Sequence, residues 1–214
     1  MKKAFTMLEL VFVIVVVGIL SYVVGSHFQR NTLAEAADQV ISHIRYTQHL
    51  AMIDNKFDPN DGGWWMKKWQ IRFRSNGGEI YYAVYSDLDK DRNVNCNAGA
   101  CLEPAVDPLN QQPLYYFANK PNDKMILSKK YGITNVAVTC AVADSSLYTA
   151  SLGVISFDHL GRPYNGIGNI NTGNLEYDFI MTNDCNITLV NPDGNTTVTV
   201  QKETGYAFIS ARNY

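Results

Sequence analysis

Residues 5–24 read FTMLELVFVIVVVGILSYVV, twenty positions in which Glu9 is the only charged side chain. At about 1.5 Å per residue a helix of that length spans the roughly 30 Å hydrocarbon core of a bilayer, so the stretch reads as a transmembrane helix. An acidic residue near the centre of such a span costs about 2.5–3.5 kcal/mol, less toward the interface, and calls for a named partner. No Lys or Arg lies within the span to serve as one. Lys2 and Lys3 precede it, and the positive-inside rule places them in the cytoplasm with the rest of the chain across the inner membrane. The apolar run exceeds the 7–15 residues of a secretory signal and no A-x-A site follows it, so it reads as a retained segment.

Past Gly25 the helical pattern continues. Leu33, Ala37, Val40, Ile41, Ile44 and Ala51 recur at three- and four-residue steps, while Arg30, Glu35, Asp38, Gln39 and Arg45 take other faces. Asp58-Pro59-Asn60-Asp61-Gly62-Gly63 then breaks the helix. The spacing predicts one helix over about 5–54, its first half (5–25) transmembrane and its second (26–54) amphipathic, followed by a β-rich periplasmic domain over 55–214. Strands are expected at Trp65–Arg74, Glu79–Tyr85, Leu114–Phe117, Lys124–Leu127, Val136–Ala141, Gly153–Phe157, Tyr177–Thr182, Thr188–Val190, Thr196–Gln201 and Tyr206–Ile209. The fold class is α+β: a long N-terminal helix packed on antiparallel β-sheets.

The bulk composition agrees. The 214 residues suit a membrane segment plus one domain, and the 46% hydrophobic fraction supports a core. A net charge of −2 offers no global attraction to nucleic acid, so any polyanion partner needs a local patch. Four cysteines, Cys96, Cys101, Cys140 and Cys185, follow the apolar segment. Three pairings are open. Cys96 with Cys101 shares a short Asn/Gly-rich loop, and Cys140 with Cys185 ties two strand-like segments, so this pairing is favoured and points to an oxidising compartment. The competing zinc site lacks both a pair of C-x-x-C spacings and nearby histidines.

Lys2-Lys3-Ala4-Phe5-Thr6-Met7-Leu8-Glu9, followed by the apolar helix, resembles the leader and first residues of type IV pilins and type II secretion pseudopilins. The resemblance implies a leader over 1–4, cleavage by a prepilin peptidase between Ala4 and Phe5, N-methylation of Phe5, and a Glu at the fifth mature position. Ala4 stands where that family usually has Gly. It further implies assembly with other pilin or pseudopilin subunits through an inner-membrane platform, with Glu9 pairing to the terminal amine of a neighbour so that two costly charges offset each other. Ile155-Ser156-Phe157-Asp158-His159-Leu160-Gly161-Arg162-Pro163 and Val198-Thr199-Val200-Gln201-Lys202-Glu203-Thr204-Gly205-Tyr206 are similar to the closing part of the H-type minor pseudopilins, a family that includes DNA-binding minor pilins.

Two further stretches carry candidate chemistry. Asp87, Asp89 and Asp91 alternate along a turn, with Asn93 and Asn95 continuing the spacing, the D-x-D-x-D arrangement that converges hard oxygens on calcium. Arg92 replaces the sharp-turn Gly of such loops and Ala98 the closing Glu, leaving Glu103 as the nearest substitute; the ordinary alternative is a solvated acidic turn. Lys68, Arg72 and Arg74 share one face of an expected strand with Gln70, with Trp65, Trp69, Ile71 and Phe73 on the other, so a basic ladder to DNA phosphates competes with a merely solvated strand face. At the position of the Gly-Arg-x-Arg motif of the DNA-uptake pilins stands Gly205-Tyr206-Ala207-Phe208, without either arginine. His27, His43, His49 and His159 are scattered, and no nucleophile elbow, phosphate loop or H-E-x-x-H points to an enzyme.

Overall fold

A computed structural model describes residues 6–27, 31–92, 102–116, 122–140, 151–168, 171 and 173–213. Two helices open the chain, α1 (Met7–His27) and α2 (Thr32–Ile53), and they fall in two compact units, Met1–Asn31 and Thr32–Tyr214. Both begin on the same signal. Thr6-Met7-Leu8-Glu9 and Thr32-Leu33-Ala34-Glu35 each place Thr three residues before Glu, the pattern of a capping box. In the first of these, Glu9 N donates to Thr6 Oγ1 at 3.3 Å.

This corrects the expected single helix over 5–54. A second helix-start signal at Thr32 separates the two elements, and residues 28–30 between them lie outside those described. The expected transmembrane half is corrected as well. Among the described residues no helix is long and apolar enough to cross a membrane. A single-pass inner-membrane placement, with a cytoplasmic N-terminus and a periplasmic domain, is therefore unsupported.

Among the described residues of the Thr32–Tyr214 unit, nine strands form two antiparallel sheets. Sheet 1 has the order β3 (Leu102–Pro104), β2 (Glu79–Asp87), β1 (Trp69–Asn76), β5 (Ser151–Phe157), β6 (Pro163–Tyr164). Sheet 2 has the order β4 (Asn135–Val138), β7 (Cys185–Asn191), β8 (Gly194–Val200), β9 (Ala207–Asn213). The β1–β2 hairpin turns on Gly77 and Gly78, with φ of 59° and 83°, the left-handed pair that a two-residue turn matching strand twist requires. At the β7–β8 hairpin, Asn191 Oδ1 accepts from Asp193 N and Gly194 N at 3.0 and 3.1 Å, closing the turn with a side chain.

Helix α2 lies on both sheets. Its buried residues are the expected stripe, Leu33, Ala37, Val40, Ile41, Ile44 and Ala51, together with Ala36 and Thr47, and all but Thr47 join Trp69, Ile71, Phe73, Tyr82, Val84, Ile155 and Phe157 of sheet 1 and Ile187, Leu189, Val198 and Val200 of sheet 2 in one core. Full burial of each large aliphatic side chain is worth about 1.5–3 kcal/mol, so the stripe is what keeps the sheets on the helix.

Several predicted strands take other forms. Lys124–Leu127 is a 3-10 turn (Asp123–Met125) leading into a short helix, α3 (Leu127–Tyr131), which Gly132 ends at φ 68°. Trp64–Lys67 is a 3-10 turn before β1, and Tyr177–Thr182 holds only an isolated bridge from Ile180 to Tyr164. Leu114 is threaded between neighbours, its N–H on Ala105 O and its carbonyl on Val84 N, without forming a strand. The short strands β3 and β6 carry too few residues to show a period in sequence.

Candidate functional site

The Met1–Asn31 unit presents a helix without a buried side. From Thr6 to Tyr22 every side chain is exposed, Met7 at 86% and Phe12 at 69%, and apolar residues occupy all faces of α1. A helix hydrophobic all round is stable only when something covers it. Glu9 sits in its first turn, where the N-terminal end of the helix dipole favours a negative charge by about 0.3–1 kcal/mol. The sequence reading assigned Glu9 to assembly; the hydrogen bond from its N–H to Thr6 adds a local role in starting its own helix. Ala4 and Phe5 lie outside the described residues.

The second candidate is the loop after β2. Asp87, Asp89 and Asp91 each offer a carboxylate oxygen, all within 4.8 Å of one another, Asp87 buried and the other two exposed. Lys90 and Arg92 take φ of 64° and 61°, left-handed values that curl the loop and turn alternate carboxylates inward. Asp87 accepts from Lys90 N at 3.1 Å and Arg92 N at 2.7 Å, and Asp89 from Asp91 N at 3.3 Å. Burial, then a hydrogen bond with Asp89 and the nearby charges of Asp89 and Asp91, push the Asp87 carboxyl up to about 7. A bound divalent cation would favour the ionised carboxylate, and three clustered hard oxygens fit calcium or magnesium chemistry. Glu103 is not in the cluster; it pairs with Lys56 at 2.6 Å. Asn93, Asn95, Cys96 and Cys101 lie outside the described residues.

A brace ties this loop to the segment after α2. Lys90 Nζ reaches Asp61 Oδ1 and Lys67 Nζ reaches Asp61 Oδ2, each at 2.8 Å, and these two ammonium groups hold the Asp61 carboxyl well below its ordinary range.

The basic face of β1 is largely covered. Alternation along the strand is as expected, because Gln70, Arg72 and Arg74 pair across to Tyr85, Ala83 and Tyr81 while Trp69, Ile71 and Phe73 face α2. Yet the charged face is not open: Lys68 is 6% and Arg72 3% exposed. Arg72 donates to Arg92 O at 2.8 Å, and its guanidinium lies 5.9 Å from the Tyr85 ring centroid. Lys68 donates to Glu176 O at 3.1 Å from a position 3.7 Å over the Tyr164 ring. Burial pushes the Lys68 ammonium down to about 8 against the pull of Glu176 and Asp158. Lys68 and Arg72 are therefore interior cations, and Arg74 beside them is half-buried.

The turn after β5 and the turn before β9 meet in space. Asp158 organises the first: its carboxylate accepts from Leu160 N, Arg162 N, Arg162 Nε and Tyr164 OH at 3.0, 2.9, 2.7 and 3.2 Å, which satisfies a buried charge locally. Gln48 on α2 then donates from Nε2 to Gly161 O at 2.8 Å and to Thr204 O at 2.7 Å, clasping both turns. Sequence reasoning missed Gln48, since a lone Gln on a helix carries no pattern.

The disulfide Cys140–Cys185 forms as expected, joining the residues after β4 to the start of β7. Comparison with family models, with curated proteins and with solved structures finds no match to this chain.

Proposed function

We propose that this chain is a subunit of a pilin-type filament, a minor pilin or pseudopilin of a type IV pilus or a type II secretion pseudopilus, cut by a prepilin peptidase between Ala4 and Phe5. The observation that carries the reading is the exposure of α1 on every side. Residues Met7 to Tyr22 present an exposed apolar surface with one acid, Glu9. Copies of the same helix supply that cover when subunits bundle. In the bundle Glu9 meets the ammonium of a neighbouring Phe5, so a charge costly in apolar surroundings is offset only in register. The Thr32–Tyr214 unit carries its own core.

Intact mass of the protein recovered from its own cells tests the processing. A chain beginning at methylated Phe5 is expected, and one still beginning at Met1 overturns the reading. A Val13→Cys variant tests the assembly, because oxidation is expected to link copies through α1. A correctly cut chain that yields no linked copies removes the filament.

A further inference from the structure

We propose that His43 is an acid-sensitive latch that holds α3 and the turn before it against α2. The argument runs through proton donors. Lys130 Nζ and Tyr131 OH, both on α3, point at Gln39 Oε1 from 2.7 and 2.6 Å. An ammonium has no lone pair to offer, so this contact fixes the orientation of the Gln39 amide with its oxygen toward α3. Gln39 Nε2 must then donate, to Tyr82 OH at 2.7 Å and to Lys124 O at 3.0 Å. With its oxygen accepting from Gln39, the Tyr82 hydroxyl directs its own proton at His43 Nδ1, 2.6 Å away. That bond requires a neutral imidazole with Nδ1 unprotonated.

The chain of donors thus runs from α3 through α2 and β2 and back to α2, and it has one direction. A proton added at His43 Nδ1 turns the last acceptor into a donor. Tyr82 OH then faces two donors, its own proton loses its acceptor, and Tyr82 is 0% exposed, so water cannot replace the loss. The repair available is for the Gln39 amide to turn over so that Oε1 accepts the Tyr82 proton, which takes the donor from Lys124 O on the preceding turn and sets Nε2 against the donors Lys130 and Tyr131. The charged and titratable groups facing His43 are Tyr82 from β2, Asp107 from the loop after β3 and Lys130 from α3. Asp107 favours the imidazolium and Lys130 opposes it. Burial outweighs both and pushes the imidazole down to about 4, so His43 is neutral at pH 7 and takes up its proton only in acid.

Backbone amide exchange in the full chain tests this at Lys130, Gly132 and Ile133, whose N–H groups bond Ile126, Ser128 and Leu127 carbonyls within α3 and its cap. After correction for intrinsic exchange, opening at these amides is expected to rise about tenfold per pH unit between about pH 6.5 and 4. A His43→Gln variant, whose side-chain oxygen still accepts from Tyr82 without titrating, is expected to lose that dependence. The same pH response in both proteins overturns the proposal, as does a flat response in the wild type. Should the variant fail to fold, the imidazole resonances of wild-type His43 decide: a midpoint near the ordinary 6.5, or one that α3 exchange does not follow, also overturns it.

Discussion

Gln48 Nε2 lies 2.8 Å from the carbonyl oxygen of Gly161, a hydrogen bond that joins α2 to the turn after β5. The same nitrogen reaches Thr204 O at 2.7 Å, so both turns depend on one amide. Gly205 completes the junction at φ 68°: a Cβ there would stand 2.7 Å from Gln48 Nε2, 2.8 Å from Gly161 O and 2.9 Å from Phe157. Gly205→Ala is expected to cost about 2–4 kcal/mol, combining left-handed strain with overpacking against backbone. Gln48→Ala, which leaves two carbonyls without their donor, should cost about 1–3 kcal/mol. Denaturant midpoints at constant slope check both; a Gly205→Ala protein as stable as wild type would exclude the described close approach.

Lys68 gives a pH signature at the alkaline end. Its ammonium is pushed down to about 8 in the folded chain against an ordinary 10.5, so between those values the unfolded chain binds more protons and stability rises with pH. Fully titrated, the difference amounts to about 3 kcal/mol. Stability of wild type minus that of Lys68→Met is expected to grow from about pH 8 to 10.5, and chemical denaturation across that range measures it. A constant difference would place Lys68 in water.

Calcium is expected to bind the Asp87–Asp91 loop. Binding to the native chain alone stabilises by about 2.7 kcal/mol when the ion is at a hundred times its dissociation constant. The melting temperature should therefore rise with calcium and fall back with chelator, and Asp89→Asn should blunt the rise. Identical melting in calcium and in chelator removes the site.

The Cys140–Cys185 disulfide closes a loop with a sequence separation of 45, which in the chain-entropy model is worth about 4 kcal/mol. Both ends lie against sheet 2, with Cys185 fully buried. The paired Cys140→Ser, Cys185→Ser variant is expected to unfold at clearly lower denaturant, and wild type in reductant should move toward the same midpoint. A reductant-insensitive midpoint would mean the bond is not formed.

Where local chemistry dominates, the sequence was a sufficient guide. The three- and four-residue recurrence from Leu33 to Ala51 marks the buried face of α2 because a helix brings those positions onto one side whatever surrounds it. The alternation from Trp69 to Phe73 marks the two faces of β1 for the equivalent reason. The acidic spacing at Asp87, Asp89 and Asp91 becomes a real cluster, since its geometry lies within one turn. The Thr-x-x-Glu pattern at Thr32 is also local, but the helical recurrence from Leu33 to Ala51 reads as a continuation of the apolar segment, so one long helix is expected where two are found.

What the tertiary structure alone decided is which faces meet water. Alternation separates Lys68 and Arg72 from the core side of β1 but cannot say what lies over them. That depends on Tyr164 and Glu176, about a hundred residues away, and on Arg92 from the next loop, contacts that carry no local period. Gln48 and His43 belong to the same class. Each acts through a hydrogen bond to a distant segment, and a polar side chain on a helix reads identically whether it points at solvent or at a partner. Periodicity records geometry along one chain segment, whereas burial and proton donors are properties of the segments brought together by folding.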